Sequence, residues 1–126
     1  MYQFGFEKLE VWELSKELCK DIYKLTKKFP VDERYGITAQ LNRSVISVPA
    51  NIAEGSARLG LKEKQHFYTI AYGSLMEVAS FLIIAKDLNY INAEKLEALK
   101  ERISKISNKL NALYQSQNTE KRNGAK

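Results

Sequence analysis

Apolar residues three or four positions apart recur in four long runs along this chain, and that rhythm leaves little but helices to build with. Leu9, Trp12, Leu18 or Cys19, Ile22, Leu25 and Phe29 make the first run, with Ser15 in the remaining turn. They predict one apolar stripe on a helix of about six turns. Pro30 ends it, because the residue before a proline avoids helical angles, and Asp32 is a candidate N-cap for the second helix. The second run covers about 33–57, with its stripe on Leu41, Val45, Val48 and Ile52. Pro49 lies inside it, removing one backbone hydrogen bond and crowding the Val45 carbonyl, so a kink is expected there. Gly55 and Gly60 mark its end and the connection.

The third run, about 62–88, places Phe67, Ala71, Ser74, Val78, Phe81, Ala85 and Leu88 at helical spacing, while Ile70, Leu75, Leu82 and Ile84 widen the apolar surface. Such a helix is expected to bury two faces, with Phe67, Val78, Phe81 and Leu88 in its own core and Ile70, Tyr72, Ile84 and Leu75 turned elsewhere. Asn89-Tyr-Ile-Asn92 breaks it, with Asn92 as the next N-cap. Leu96, Leu99, Ile103, Ile106, Leu110 and Leu113 then alternate three and four apart, the pattern of left-handed bundle packing. No strand-period alternation survives. The reading is all-α: an antiparallel up-down four-helix bundle with helix 2 kinked near Pro49.

A chain of 126 residues holds one such domain, expected over 1–117, and a flexible polar, basic tail over 118–126. The tail matters to the charge. Lys121, Arg122 and Lys126 against Glu120 supply +2 of the net +5, so the body is only mildly basic and permits nucleic acid without announcing it. The single Cys19 excludes an internal disulfide and a thiolate metal cage. The start lacks the basic and apolar regions of a secretion signal, and no apolar run approaches the roughly 20 residues of a membrane span. A cytoplasmic protein without membrane contact is expected.

One segment of the second run carries a family resemblance. Gln40-Leu-Asn-Arg43-Ser-Val-Ile-Ser47-Val-Pro49-Ala-Asn51-Ile-Ala-Glu54-Gly55 closely resembles the signature of four-helix bundle proteins related to the 23S rRNA intervening-sequence protein, the so-called S23 ribosomal protein-like family. Phe6-Glu-Lys-Leu9-Glu-Val-Trp12, Phe29-Pro30 with Glu33-Arg-Tyr-Gly36-Ile-Thr, and Ile70-Ala-Tyr-Gly73-Ser74-Leu-Met-Glu77 agree with it. The resemblance covers roughly 4–114. It implies a bundle often assembled as a ring-like pentamer, with members encoded inside ribosomal RNA genes or standing alone. It also implies a related branch that serves diversity-generating retroelements and binds nucleic acid and a reverse transcriptase. It implies no enzyme activity and no cofactor.

The residues themselves offer little for catalysis. His66 is the only histidine, no Glu-x-x-His pair occurs, and Glu54 with Glu77 would make an unconvincing site even if they faced one another. No glycine belongs to a phosphate-cradling motif, and Cys19 reads as core. Two polar patterns remain. Gln40, Arg43, Ser47, Asn51 and Glu54 line one side of helix 2 beside its apolar stripe, in the same segment as Pro49 and Gly55. His66, Thr69, Gly73, Glu77 and Ser80 repeat the rhythm in helix 3, next to Ser74. These groups either lock helix 2 to helix 3 and satisfy the carbonyl freed by Pro49, or form an assembly interface, or hold a ligand.

The second pattern is a lysine ladder, Lys16, Lys20, Lys24 and Lys28, with Lys27 beside it. It can track phosphates, and Lys16, Lys20, Lys24 and Lys27 are the candidate nucleic-acid contacts. Glu13, Glu17 and Asp21 each precede one of these lysines by three residues, so a solvated face of ordinary ion pairs is the simpler account. Only Tyr23 lies near the ladder, without the aromatic interleaving that single-strand stacking uses. The expected function is binding: a non-catalytic homo-oligomer associated with RNA or DNA, or alternatively a protein-interaction bundle with no nucleic acid partner.

Overall fold

A computed structural model describes the backbone of residues 1–124 and the side chains of residues 1–118. Its four helices are α1 (Glu10–Thr26), α2 (Ile37–Ala57), α3 (Leu61–Asp87) and α4 (Ala93–Gly124), with short 3-10 turns at Gly5–Lys8 and Val31–Glu33. No strand occurs among the described residues. Each helix packs on two neighbours in the cyclic order α1, α2, α3, α4, with the broadest contact between α2 and α3. Side-chain bonds fix the sense of each pair. Glu10 meets Lys109 and Asp21 meets Arg102; Ser44 meets Glu77 and Ser47 meets Ser74; Gln65 meets Tyr114. Rising numbers on one helix face falling numbers on the next, so the bundle is antiparallel up-down.

The apolar stripes build the core. Leu18, Ile22, Leu41, Val45, Val48, Ile52, Leu99, Ile106 and Leu110 are fully enclosed. Leu18 is the buried choice at its turn, and Cys19 is half-buried at the edge. Ser15 is also enclosed, its hydroxyl returning to the Val11 carbonyl at 2.7 Å. Thr26, which no apolar stripe includes, is buried because it donates to Asn42 Oδ1 at 2.9 Å across the α1–α2 contact. α3 is rotated from its expected register. Tyr68, Leu75 and Leu82 are buried, Phe67 and Phe81 are half-buried, and Leu88 is 47% exposed. Leu75, expected to point away, is at the centre of the core. With apolar residues on so much of its circumference, α3 has no unique stripe in sequence, and packing between α2 and α4 decides its rotation.

The helix ends obey local chemistry. α1 stops at Thr26, before Pro30 requires it, and a tightened turn finishes it: the Lys28 N–H donates to the Leu25 carbonyl and that of Phe29 to Thr26. Asp32 falls within a 3-10 turn, and α2 instead begins after Gly36, with Glu33 accepting from the Ile37 N–H and from the Tyr90 hydroxyl. That bond to Glu33, with burial, raises the Tyr90 phenol above its usual range. α2 then runs unbroken through Pro49. α3 closes in a Schellman turn. Asn89 takes the left-handed conformation at φ 64°, its N–H donates to the Lys86 carbonyl, and the Tyr90 N–H donates to that of Ala85. Asn92 caps α4 by accepting from the Lys95 N–H at 2.8 Å, as its position predicts. The α4 backbone continues to Gly124, while the basic side chains of the expected tail lie outside the described residues.

A further sequence expectation needs correction. α3, at 27 residues with mean hydropathy 1.5 in its most apolar window, is long and apolar enough to cross a membrane by length and composition. Its charges lie mainly at the two ends, so the intervening stretch is more apolar than the periodic reading conveys. In the bundle it is a packed core helix, yet only 33% of that window is buried. Ile70, Tyr72, Met76, Ile83, Ile84 and Leu88 face outward.

Candidate functional site

α2 separates two surfaces of different character, and the candidate residues divide between them. On the edge facing α3, the family-signature residues are largely occupied within the fold. The Ser47 and Ser74 hydroxyls bond across the helices at 2.8 Å. Asn51 donates its amide to the Ser47 carbonyl at 2.8 Å and to the Ser47 hydroxyl at 2.9 Å, so it serves Ser47 rather than the Val45 carbonyl opposite Pro49. Ser44 reaches Glu77 at 3.5 Å. Gly55 has a packing reason: a Cβ there would stand 2.7 Å from Tyr68 Cε1 and 3.1 Å from Phe67 Cβ. Since Tyr68 is itself buried, its ring cannot easily withdraw.

The outer members of the stripe turn to solvent. Gln40 and Arg43 bond each other at 2.6 Å, and Glu54 pairs with Arg58, whose guanidinium also lies over the Phe67 ring. Glu54 and Glu77 are therefore engaged with different partners and do not form a joint site. Gly73 is exposed, and a Cβ there would meet nothing within 4 Å. His66 is exposed beside Phe67. Among the described residues no group of three or more His, Cys, Asp or Glu is arranged to hold a metal ion.

The opposite edge of α2 faces α1 across an open groove of about 540 Å³. All four candidate lysines, Lys16, Lys20, Lys24 and Lys27, line it, together with Trp12, Cys19, Tyr23, Ile46 and Pro49. The helical repeat brings the lysines to one side of α1, and Ile46 with the largely buried Pro49 lines the groove from α2. Sequence reading missed Trp12, Ile46 and Pro49 as lining residues. Trp12 and Tyr23 are eleven apart, about three helical turns, so a search for aromatics on the lysine face would have found Trp12. Nothing local to α2 points Ile46 at α1.

The ion pairs expected on the ladder are only partly present. Lys16 meets Glu13 at 2.9 Å and Lys20 meets Glu17 at 3.4 Å. The bond to Glu13 raises the Lys16 ammonium above the usual lysine range, so it stays charged. Asp21 does not complete the series. It pairs at 2.7 Å with Arg102 of α4, and Lys24 and Lys27 have no carboxylate partner among the described residues. Burial pushes the Cys19 thiol up, which disfavours its thiolate form. Cations over an apolar and aromatic floor suit an anion that carries a flat or apolar group. Another depression, lined by the continuous run Ala57–Glu63, is a notch beside the α2–α3 turn, with its one arginine already engaged.

Comparison with known proteins supports the fold and defines the family. A crystal structure of a protein of unknown function from the S23 ribosomal protein family of Bacteroides thetaiotaomicron VPI-5482 superposes with a TM-score of 0.76 at 24% identity, covering 82% of this chain and 97% of that one. At that identity the likeness speaks for the fold alone. No curated protein matches. Residues 7–112, well over half of the chain, match the family described as 23S rRNA-intervening sequence protein, and the chain belongs to this family.

Proposed function

We propose that this protein is a non-catalytic bundle that associates with RNA or DNA through the α1–α2 groove. The observation that carries this reading is the grouping of Lys16, Lys20, Lys24 and Lys27 on one open groove while Asp21, the carboxylate nearest Lys24 in sequence, is drawn away to Arg102. Unneutralised ammonium groups bind phosphate by releasing counterions. Lysine supplies point charge with little reading of base edges, so the binding is weak and independent of sequence. The family's description names an rRNA intervening sequence and no reaction, which agrees with a nucleic-acid-associated, non-enzymatic role.

The test is an affinity measurement against salt. Four phosphate contacts give a log–log slope of about −3 for a single strand, and Lys24→Gln with Lys27→Gln lowers it by about 1.4. Absence of binding at low salt, or binding indifferent to these substitutions, refutes the reading.

A second observation favours self-assembly alongside it. α3 leaves Ile70, Tyr72, Met76, Ile83, Ile84 and Leu88 partly in water, six large apolar side chains along one helix that contact between copies can cover. Burial between copies of this chain removes that surface, and the exposed Gly73 allows a neighbouring helix to approach closely. Five copies, cytoplasmic and free of membrane, is the assembly proposed, each repeating the groove and multiplying its modest charge. Light scattering coupled to size exclusion decides. A mass of one chain at micromolar concentration refutes assembly, and a dimer or tetramer refutes the pentamer. If assembly stands and nucleic acid binding fails, a protein-interaction bundle is the function that remains.

A further inference from the structure

We infer that the groove receives unpaired bases, so that the nucleic acid it takes is single-stranded; this rests on the reading just given. Phosphate binding alone needs only lysines on a helix surface. Here the lysines rim a floor made of Trp12, Cys19, Tyr23, Ile46 and Pro49. Ile46 is 49% exposed and Tyr23 38% exposed, whereas Trp12 and Cys19 are half-buried and Pro49 is buried, so Tyr23 and Ile46 are the apolar surface that the groove offers to a ligand.

A row of aromatic rings leads to this floor. Tyr2, Phe4, Phe6 and Trp12 succeed one another with ring centroids 5.1, 5.7 and 4.9 Å apart, and Phe4 and Phe6 are parallel within 5°. The row ends at Trp12, with the Lys16 ammonium 5.4 Å from its ring centre. Tyr2 and Phe4 are exposed. The row therefore reaches the Lys16 end of the groove, whose own lining adds Tyr23 beside Lys20, Lys24 and Lys27.

This combination separates the two forms of nucleic acid. A duplex presents phosphates outside and keeps its bases stacked within, leaving the apolar floor without a partner. A single strand can turn its bases onto aromatic faces while its phosphates meet the ammonium groups. From Lys16 to Lys27 the groove extends along about 16 Å of helix, more than one nucleotide step.

Trp12 is the only tryptophan, so its emission reports directly on the groove. The experiment titrates the full chain at low salt with a mixed-sequence single-stranded oligonucleotide and, separately, with its duplex. The single strand is expected to quench Trp12 and to bind more tightly than the duplex. Tyr23→Ala is expected to weaken single-strand binding about tenfold, the effect of one lost base–aromatic stack, and to leave duplex binding unchanged. Ile46→Ser, at a more exposed position, removes apolar surface without adding charge and is a second variant with the same expected selectivity. Equal affinity for strand and duplex with Trp12 unmoved overturns this inference and leaves phosphate binding standing. Binding of neither overturns both readings. Phosphatidylglycerol vesicles that shift Trp12 where oligonucleotides do not overturn both as well, and make the occupant an anionic amphiphile.

Discussion

The two edges of α2 differ in what their polar groups have left to do. Along the α3 edge, Ser47, Ser74 and Asn51 are joined to one another, and Gly55 lies under the Tyr68 ring. That edge is closed, and its side chains hold two helices together. Along the α1 edge, Lys24 and Lys27 keep unpaired charge beside exposed aromatic and aliphatic surface. Ser47, Asn51 and Gly55 of the family signature therefore fall on the edge that builds the fold, while its Ile46 and Pro49 line the other edge beside the lysine ladder, where the chemistry free to meet a partner lies.

Substitutions on the two edges should separate stability from binding. Gly55→Ala is expected to have the largest effect, because its Cβ overlaps the buried Tyr68 ring. Overpacking of this kind costs about 1–3 kcal/mol, offset in part by the better helix propensity of alanine. A thermal melt checks it, and a melt that overlays the parent would break the closed-edge description. Asn51→Ala comes next, at about 1–2 kcal/mol, since it leaves the Ser47–Ser74 pair without its amide donor. Glu54→Ala removes an exposed pair with Arg58 and should cost no more than about 0.5 kcal/mol. Equal losses for these two would mean that the outer stripe is buried in an assembly.

Gly73→Ala sharpens the contrast by its sign. A Cβ there enters open space, so the single chain should gain about 0.5–1 kcal/mol of helix stability. A variant that melts lower, or loses mass by light scattering, would show that a second copy approaches Gly73. On the open edge, Lys24→Gln with Lys27→Gln should move stability by less than about 0.5 kcal/mol while weakening oligonucleotide binding. The smallest effect expected is that of Arg102→Gln. It frees Asp21 to pair with Lys24, so binding should fall by less than it does on losing Lys24 outright. Unchanged affinity would show that the α4 pair has no influence on the groove.

The core of α1, α2 and α4 was largely legible because each carries one apolar stripe, and a single stripe has one way to face inward, although in α1 Val11 and Thr26 are buried outside the expected stripe while Leu9, Trp12 and Leu25 are only half-buried. Asn92 was legible as a cap because its bond is local. α3 was not, since its apolar residues occupy several faces and both Leu75 and Leu88 were assigned to the wrong side. The lysines of the groove could be named, but their state could not. Glu13 and Glu17 pair within α1 as helical spacing predicts. Asp21 has the same spacing to Lys24 and is taken by a residue 81 positions away.

What the sequence determined by itself is therefore what depends on neighbours three or four residues apart: four helices, their caps and breaks, the stripes of three of them, and the signature that assigns the family. Tertiary structure alone decided the rotation of α3, the closing of the Ser47–Ser74 seam, the pairing of Asp21 with Arg102, and the meeting of Ile46 and Pro49 with Trp12 and Tyr23. The physical reason is common to all four. Periodicity fixes which residues share a face of one helix, whereas a groove, a seam or an ion pair between helices depends on how the faces of different helices are set against each other.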